Sequence, residues 1–177
     1  MPTETALPQE GADMFEHFKT PRELFEYQLG AALTMEDDSL AMLRELEVAA
    51  QSVEVKQLLL HHQQETEQQI RSLEQAFQLL GKEPSRSPSA TTKGLMKEGN
   101  ALVAKTDKSL VDSVVLSAAL STEHYETASY ESLCIAAEAL GVAGVVDLLK
   151  QNLQQEQHTS DELNQAARKL ATATAAA

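Results

Sequence analysis

Glu123 and Glu126 stand three residues apart in the stretch "LSTEHYETASY", residues 120–130, inside a segment whose other positions read as a buried helix. An unpaired carboxylate in a protein interior is costly, and several in one place cannot all ionise without a compensating positive charge. Two chemistries meet that condition. The acids can share protons in a hydrogen-bonded cluster, or they can ligate cations, and a glutamate-rich set with an imidazole suits iron or manganese. The choice turns on which other acids and histidines face the same interior.

Helical positions advance by about 100° per residue, so each polar residue can be placed against the apolar stripe of its own segment. In the segment starting near residue 20, the stripe runs Phe25, Leu29, Ala32, Leu40 and Leu43. Glu36 falls about 20° from Phe25, at the centre of that face. In the next segment His62 falls at about −60° from Leu59 and Glu65 at about −120°, whereas His61 points away. Glu123 and Glu126 take the same two angles, about −60° and about −120°, from Leu120. Glu156 lies about 20° from Leu149, while His158 faces outward. Glu36, His62, Glu65, Glu123, Glu126 and Glu156 are therefore the candidate metal ligands, with at least one carboxylate from each of four helices. Lysine and arginine are absent from these stripe centres. Tyr125, Tyr130 and His124 read as packing groups or as hydrogen-bond partners of bound carboxylates.

Four helices have to hold these residues at one level. At "TPRELFEYQ", Thr20, Pro21 and Glu23 form a capping box that starts the first helix. Ser52 caps the second, which Gly81 ends, and the link between the two is too short for anything but antiparallel neighbours. The Pro/Ser-rich stretch "GKEPSRSPSATTKG", residues 81–94, is a connection, and "LMKEGNALVAK" after it holds a short helix. Asp107 then caps a long helix over 108–140, and Gly141 turns the chain into the last one, over 142–171. Two antiparallel helical hairpins joined by a long crossover make an all-α, ferritin-like four-helix bundle. The pattern predicts one domain over 14–171, with loose tails at 1–13 and 172–177.

Charge and composition narrow the partners. With 27 acids against 14 bases and a net charge of −13, the chain lacks the cations that neutralise phosphates, so nucleic acid is not expected. Cys134 is the one cysteine, which excludes an intrachain disulfide. The sequence shows neither an apolar run of membrane-spanning length nor a signal peptide, and the expectation is a cytoplasmic protein without a membrane partner. Leu24, Leu33 and Leu46 lie off the main stripe, and Val114, Val115 and Leu116 are consecutive, so more than one helix face is apolar. That pattern predicts a homodimer, unless the segment "GLMKEGNALVA" folds back over one of the faces.

The stretches "HHQQETEQQIRSLEQAF", "TEHYETASYESL" and "AEALGVAGVVDLLKQNLQQE" resemble the YciE/YciF-type ferritin-like proteins, a family associated with bacterial stress responses. The resemblance covers about residues 20–170 and implies a four-helix ferritin-like fold, commonly dimeric, with a dinuclear metal site of iron or manganese. Matched position by position, it carries the metal role to Glu36, His62, Glu65, Glu123, Glu126 and Glu156. Where the family runs several acids in the last helix, this chain has "LQQEQHTSD", with Gln154, Gln155 and Ser160 at those positions. The implied function is a stress-response protein whose site reacts with O₂ or peroxide, as a ferroxidase or a catalase-like enzyme. The alternative is a non-enzymatic stress or scaffold dimer in which the site is degenerate or empty.

Overall fold

A computed structural model of the protein describes residues 17–175. The capping box predicted at Thr20 is present: its hydroxyl accepts from the Glu23 N–H at 3.1 Å and Glu23 Oε2 accepts from the Thr20 N–H at 3.0 Å. From there α1 runs Pro21–Ala49, and α2 follows as Val53–Leu79, with the Ser52 hydroxyl accepting from the Val55 N–H at 3.2 Å. The crossover carries α3, Ala90–Val103, and a 3-10 turn at Lys108–Leu110. The second hairpin is α4, Val111–Ala139, and α5, Ala143–Ala175. Gly141 makes the turn between them at φ +69°, a left-handed conformation that residues with a Cβ rarely adopt. The helix α5 continues to Ala175, past the end expected at 171, so 172–175 are helical rather than part of a tail. The N-terminal tail expected at 1–13 and the last two residues lie outside the described residues.

The four long helices form the bundle, with α1 packed on α2 and α4, and α5 packed on α4 and α2. Its apolar core is split in two. Phe25, Leu29, Leu33, Leu73, Phe77 and Leu149 fill one end, and Met42, Leu46, Leu59, Val115, Leu116 and Leu163 fill the other. Between them, on every one of the four helices, the buried positions turn polar. That middle layer is where the sequence placed its acids.

The crossover is held to the bundle rather than looped away from it. Arg86 pairs with Asp37 on α1, and Ser87 comes so close to Gly30 that a Cβ there would lie 2.7 Å from the Ser87 hydroxyl oxygen. The helix α3 then packs across α1 and α4, adding Met96 and Val103 to the second apolar end. Leu33, Leu46, Val115 and Leu116 are all buried in the single chain, and Val114 is half-buried. Leu24 stays 42% exposed, Leu33 is buried among α1, α2, α4 and α5, and Met96 and Val103 of α3 pack on the end that holds Leu46, Val115 and Leu116.

Asp112, at the start of α4, ties the two hairpins together. Its carboxylate accepts from the backbone N–H groups of Gln51 at 2.6 Å and Ser52 at 2.9 Å, in the turn between α1 and α2. It is 8% exposed, so its loss would leave both amides poorly solvated. Asp112→Ala should destabilise the protein by about 1–3 kcal/mol and Asp112→Asn by less, since an amide keeps one acceptor. Urea denaturation followed by circular dichroism measures both; equal stability of the wild type and Asp112→Ala would contradict this role.

Candidate metal centre

Each helix delivers its part of the middle layer because the apolar stripe on either side fixes its rotation. On α1 Glu36 is followed in the interior by Ser39, not by Leu40, which is only partly buried. On α2 the inward residues are His62, Thr66 and Gln69. On α4 they are Thr122, Glu123, Glu126 and Tyr130, and on α5 Asn152, Glu156 and Thr159. Glu36, Glu123 and Glu156 are 0% exposed, Glu126 is 1% and His62 is 2%. Among the described residues, none that is fully buried is a lysine or an arginine.

His62, Glu123, Glu126 and Glu156 each bring one ligand atom to a common place, all within 4.8 Å of one another. Imidazole nitrogens and carboxylate oxygens sit about 2.0–2.2 Å from a transition metal such as zinc, so ligands on opposite sides of one ion are about 4.3 Å apart. The spread in the protein is within small side-chain rotations of that. Both ring nitrogens of His62 and both carboxylate oxygens of Glu123, Glu126 and Glu156 are buried with no hydrogen-bond partner. His62 Nε2 approaches Glu123 Oε1 to 2.8 Å, but in a direction that an N–H on that nitrogen does not satisfy. Buried polar atoms are nearly always partnered, so this many orphans in one spot fit a bound cation.

Glu36 lies beside this group rather than in it. One of its oxygens, Oε1, accepts a hydrogen bond from the buried Tyr130 hydroxyl, and Tyr130 in turn accepts from Asn152 Nδ2 at 3.0 Å. The other oxygen, Oε2, is buried and free. The pairing of Tyr130 with a carboxylate matches its reading as a hydrogen-bond partner. Asn152 was not singled out in the sequence, although it stands one turn before Glu156 on the same stripe.

Glu65 is not brought into the group. Its Oε2 accepts from the Thr159 hydroxyl at 3.0 Å and its Oε1 lies 3.7 Å from His61 Nε2, which turns the carboxylate toward the seam between α2 and α5. The angle of about −120° from Leu59 already put it at the edge of the stripe. What the sequence could not show is which neighbouring helix stands at that edge. His61 and His158 are exposed, as their angles predicted.

A four-helix bundle with a long crossover and a buried layer of carboxylates is a ferritin-like architecture. The fold matches a ferritin-like, diiron-carboxylate protein of Bacillus anthracis with a TM-score of 0.66, at 15% identity, over 85% of this chain and 99% of that one. The chain belongs to the DUF892 family, described as a domain of unknown function, which it matches over residues 20–176. Protein YciF of Escherichia coli K12 is 30% identical over 149 residues, which is 83% of this chain and 90% of YciF. The crystal structure of that protein, described as the E. coli stress protein YciF, matches with a TM-score of 0.83 over 88% of this chain and 99% of its own. YcfI of Rhodopseudomonas palustris is 31% identical and matches with a TM-score of 0.81, over 82% and 94% of the two chains.

Without a cation, the layer holds protons instead. Burial pushes Glu36 up from 4.5 to about 8, against the pull of the Tyr130 hydroxyl and with a further push from Glu123. Burial, then their carboxylate neighbours, raise Glu126 and Glu156 well above the ordinary range. Burial alone would lower the His62 imidazole, but Glu123, Glu65 and Glu36 together raise it above its usual 6.5. Groups with raised folded values give stability that is complete below their unfolded values and lost as pH rises through the folded ones. Metal-free protein should therefore gain on the order of a few kcal/mol between pH about 8 and pH about 5. Metal-loaded protein should show the opposite slope, because protons compete with the ion for its ligands. Denaturation of chelator-treated and loaded samples across that range checks both signs.

Proposed function

We propose that the protein is a stress-response metalloprotein whose buried layer binds iron or manganese and reacts with O₂ or peroxide. His62, Glu123, Glu126 and Glu156 hold the ion, and Glu36 offers its free oxygen Oε2 beside them. One observation carries this reading: eight buried oxygen and nitrogen atoms of those first four residues lack a hydrogen-bond partner, and one atom from each lies within 4.8 Å of the others. Charge supports a dinuclear site, since Glu36, Glu123, Glu126 and Glu156 carry four negative charges when ionised and two divalent ions cancel them. The description of YciF as a stress protein and the fold shared with a diiron-carboxylate protein point the same way.

Bound iron or manganese supplies the one-electron exchange that O₂ and peroxide chemistry needs. The chain's own residues do the rest. Tyr130 and Asn152 fix the orientation of Glu36 through the hydroxyl that joins them. The two apolar ends, closed by Phe25, Leu33, Leu43 and Leu116, keep bulk water from the layer.

Protein purified from medium supplemented with iron or manganese should contain one to two ions per chain by elemental analysis, and chelation should lower its melting temperature. Glu126→Gln should reduce the metal content while leaving the metal-free protein as stable or more stable, because it removes a buried acid. Loaded protein should consume peroxide, or oxidise added Fe(II), faster than Glu126→Gln does. Much less than one ion per chain in the wild type would favour the non-enzymatic reading, in which the acids form only a proton-sharing cluster.

A further inference from the structure

The middle layer is enclosed, so an ion that reaches it has to leave water between two of the helices. The seam between α2 and α5 carries carboxylate and imidazole groups from its surface toward the layer. Two contacts show which residues face it: Lys169 on α5 holds Glu54 on α2 at 2.8 Å, and Thr159 holds Glu65 at 3.0 Å. In that rotation Glu65 faces the seam from α2 with His61 one turn before it, and Gln155 and Glu162 lie on the Thr159 side of α5, with His158 one turn before Glu162. Glu65 spans the wall. Its side chain is 15% exposed, its outer neighbour His61 is 57% exposed, and its inner neighbour His62 is 3% exposed. Across the seam His158 Nε2 lies 3.7 Å from Glu162 Oε1, while Glu162 Oε2 and Gln155 Oε1 are buried without partners. The α1–α4 side offers nothing comparable. The helix α3 covers part of it, and the groove that remains, about 310 Å³, is lined by residues such as Ala32, Met35, Ala128 and Leu133 and has neither carboxylate nor imidazole.

We propose that the α2–α5 seam is the entry path for divalent cations, with Glu65 as the transit ligand between His61 at the surface and His62 with Glu123 inside. The proposal rests on the metal-site reading above. A divalent ion gives up hydration water only where protein ligands replace it, and a path has to bind well enough to admit the ion yet weakly enough to release it. Glu65 meets both conditions. It places a carboxylate at the boundary, and it stands outside the resident group, accepting one hydrogen bond from the Thr159 hydroxyl.

Cobalt(II) added to metal-free protein in a stopped-flow absorbance experiment, with an equilibrium titration alongside, separates entry from residence. Glu65→Gln should load about tenfold more slowly than the wild type, since a charged group at a mouth raises entry rates by about that much or more. Its cobalt content at equilibrium should be unchanged. His61→Ala, at an exposed position, should slow loading by a smaller factor. A wild-type rate in Glu65→Gln overturns the path, and the loss of a cobalt equivalent in it makes Glu65 a resident ligand instead. Should Glu65→Gln fail to fold, Glu65→Ser and His61→Ala decide, and wild-type rates in both overturn the path. A wild type that takes up no cobalt overturns the metal-site reading, and the path with it.

Discussion

The structure is organised around the burial of four carboxylates and an imidazole in one layer of a helix bundle. The apolar contacts on either side favour folding, whereas this layer opposes it unless a cation or protons neutralise it. The apolar ends on either side must therefore be large enough to hold the layer together. They are: one gathers Phe25, Leu29, Leu33, Phe77 and Leu149, the other Met42, Leu46, Leu59 and Leu116, all nearly free of solvent. The two ends also set the rotation of each helix, which is why the acids converge instead of turning toward water.

Most of this was legible in the sequence because helix rotation is a local property. Phe25 and Leu29 fix where Glu36 points, Leu59 fixes His62, and Leu149 fixes Glu156, with no knowledge of the partner helix. The capping residues Thr20 and Ser52 and the turn glycine Gly141 fix the ends just as locally. What failed to be legible depends on neighbours. Glu65 shares its angle with Glu126, about −120° from a core leucine in each case, yet the structure brings only Glu126 into the group, and Glu65 turns to Thr159. The difference lies in which helix stands on that side, and no periodicity within α2 or α4 records it. The same holds for Asp112, whose partners at Gln51 and Ser52 are about sixty residues away.

The crossover adds a helix to one side of the bundle. The apolar residues Leu46, Val115 and Leu116 lie in the end of the bundle that α3 packs against through Met96 and Val103, whereas Leu33 is buried by the four long helices themselves. The helix α3 covers the α1–α4 side only, so the molecule is shielded unequally, with its polar seam on the opposite side, between α2 and α5. The Gly30 contact with Ser87 and the Arg86 pair with Asp37 hold the strap in that place.

The division of the layer between the hairpins has its own consequence. The first hairpin supplies Glu36 and His62, the second Glu123, Glu126 and Glu156, and neither half contains the whole set. In assembly terms the protein is a heterodimer of two half-bundles fused by the crossover. An ion in the layer then acts as a rivet between the halves, so that loading and docking become one cooperative event, and a chain loaded too early in its synthesis would have nothing to close upon.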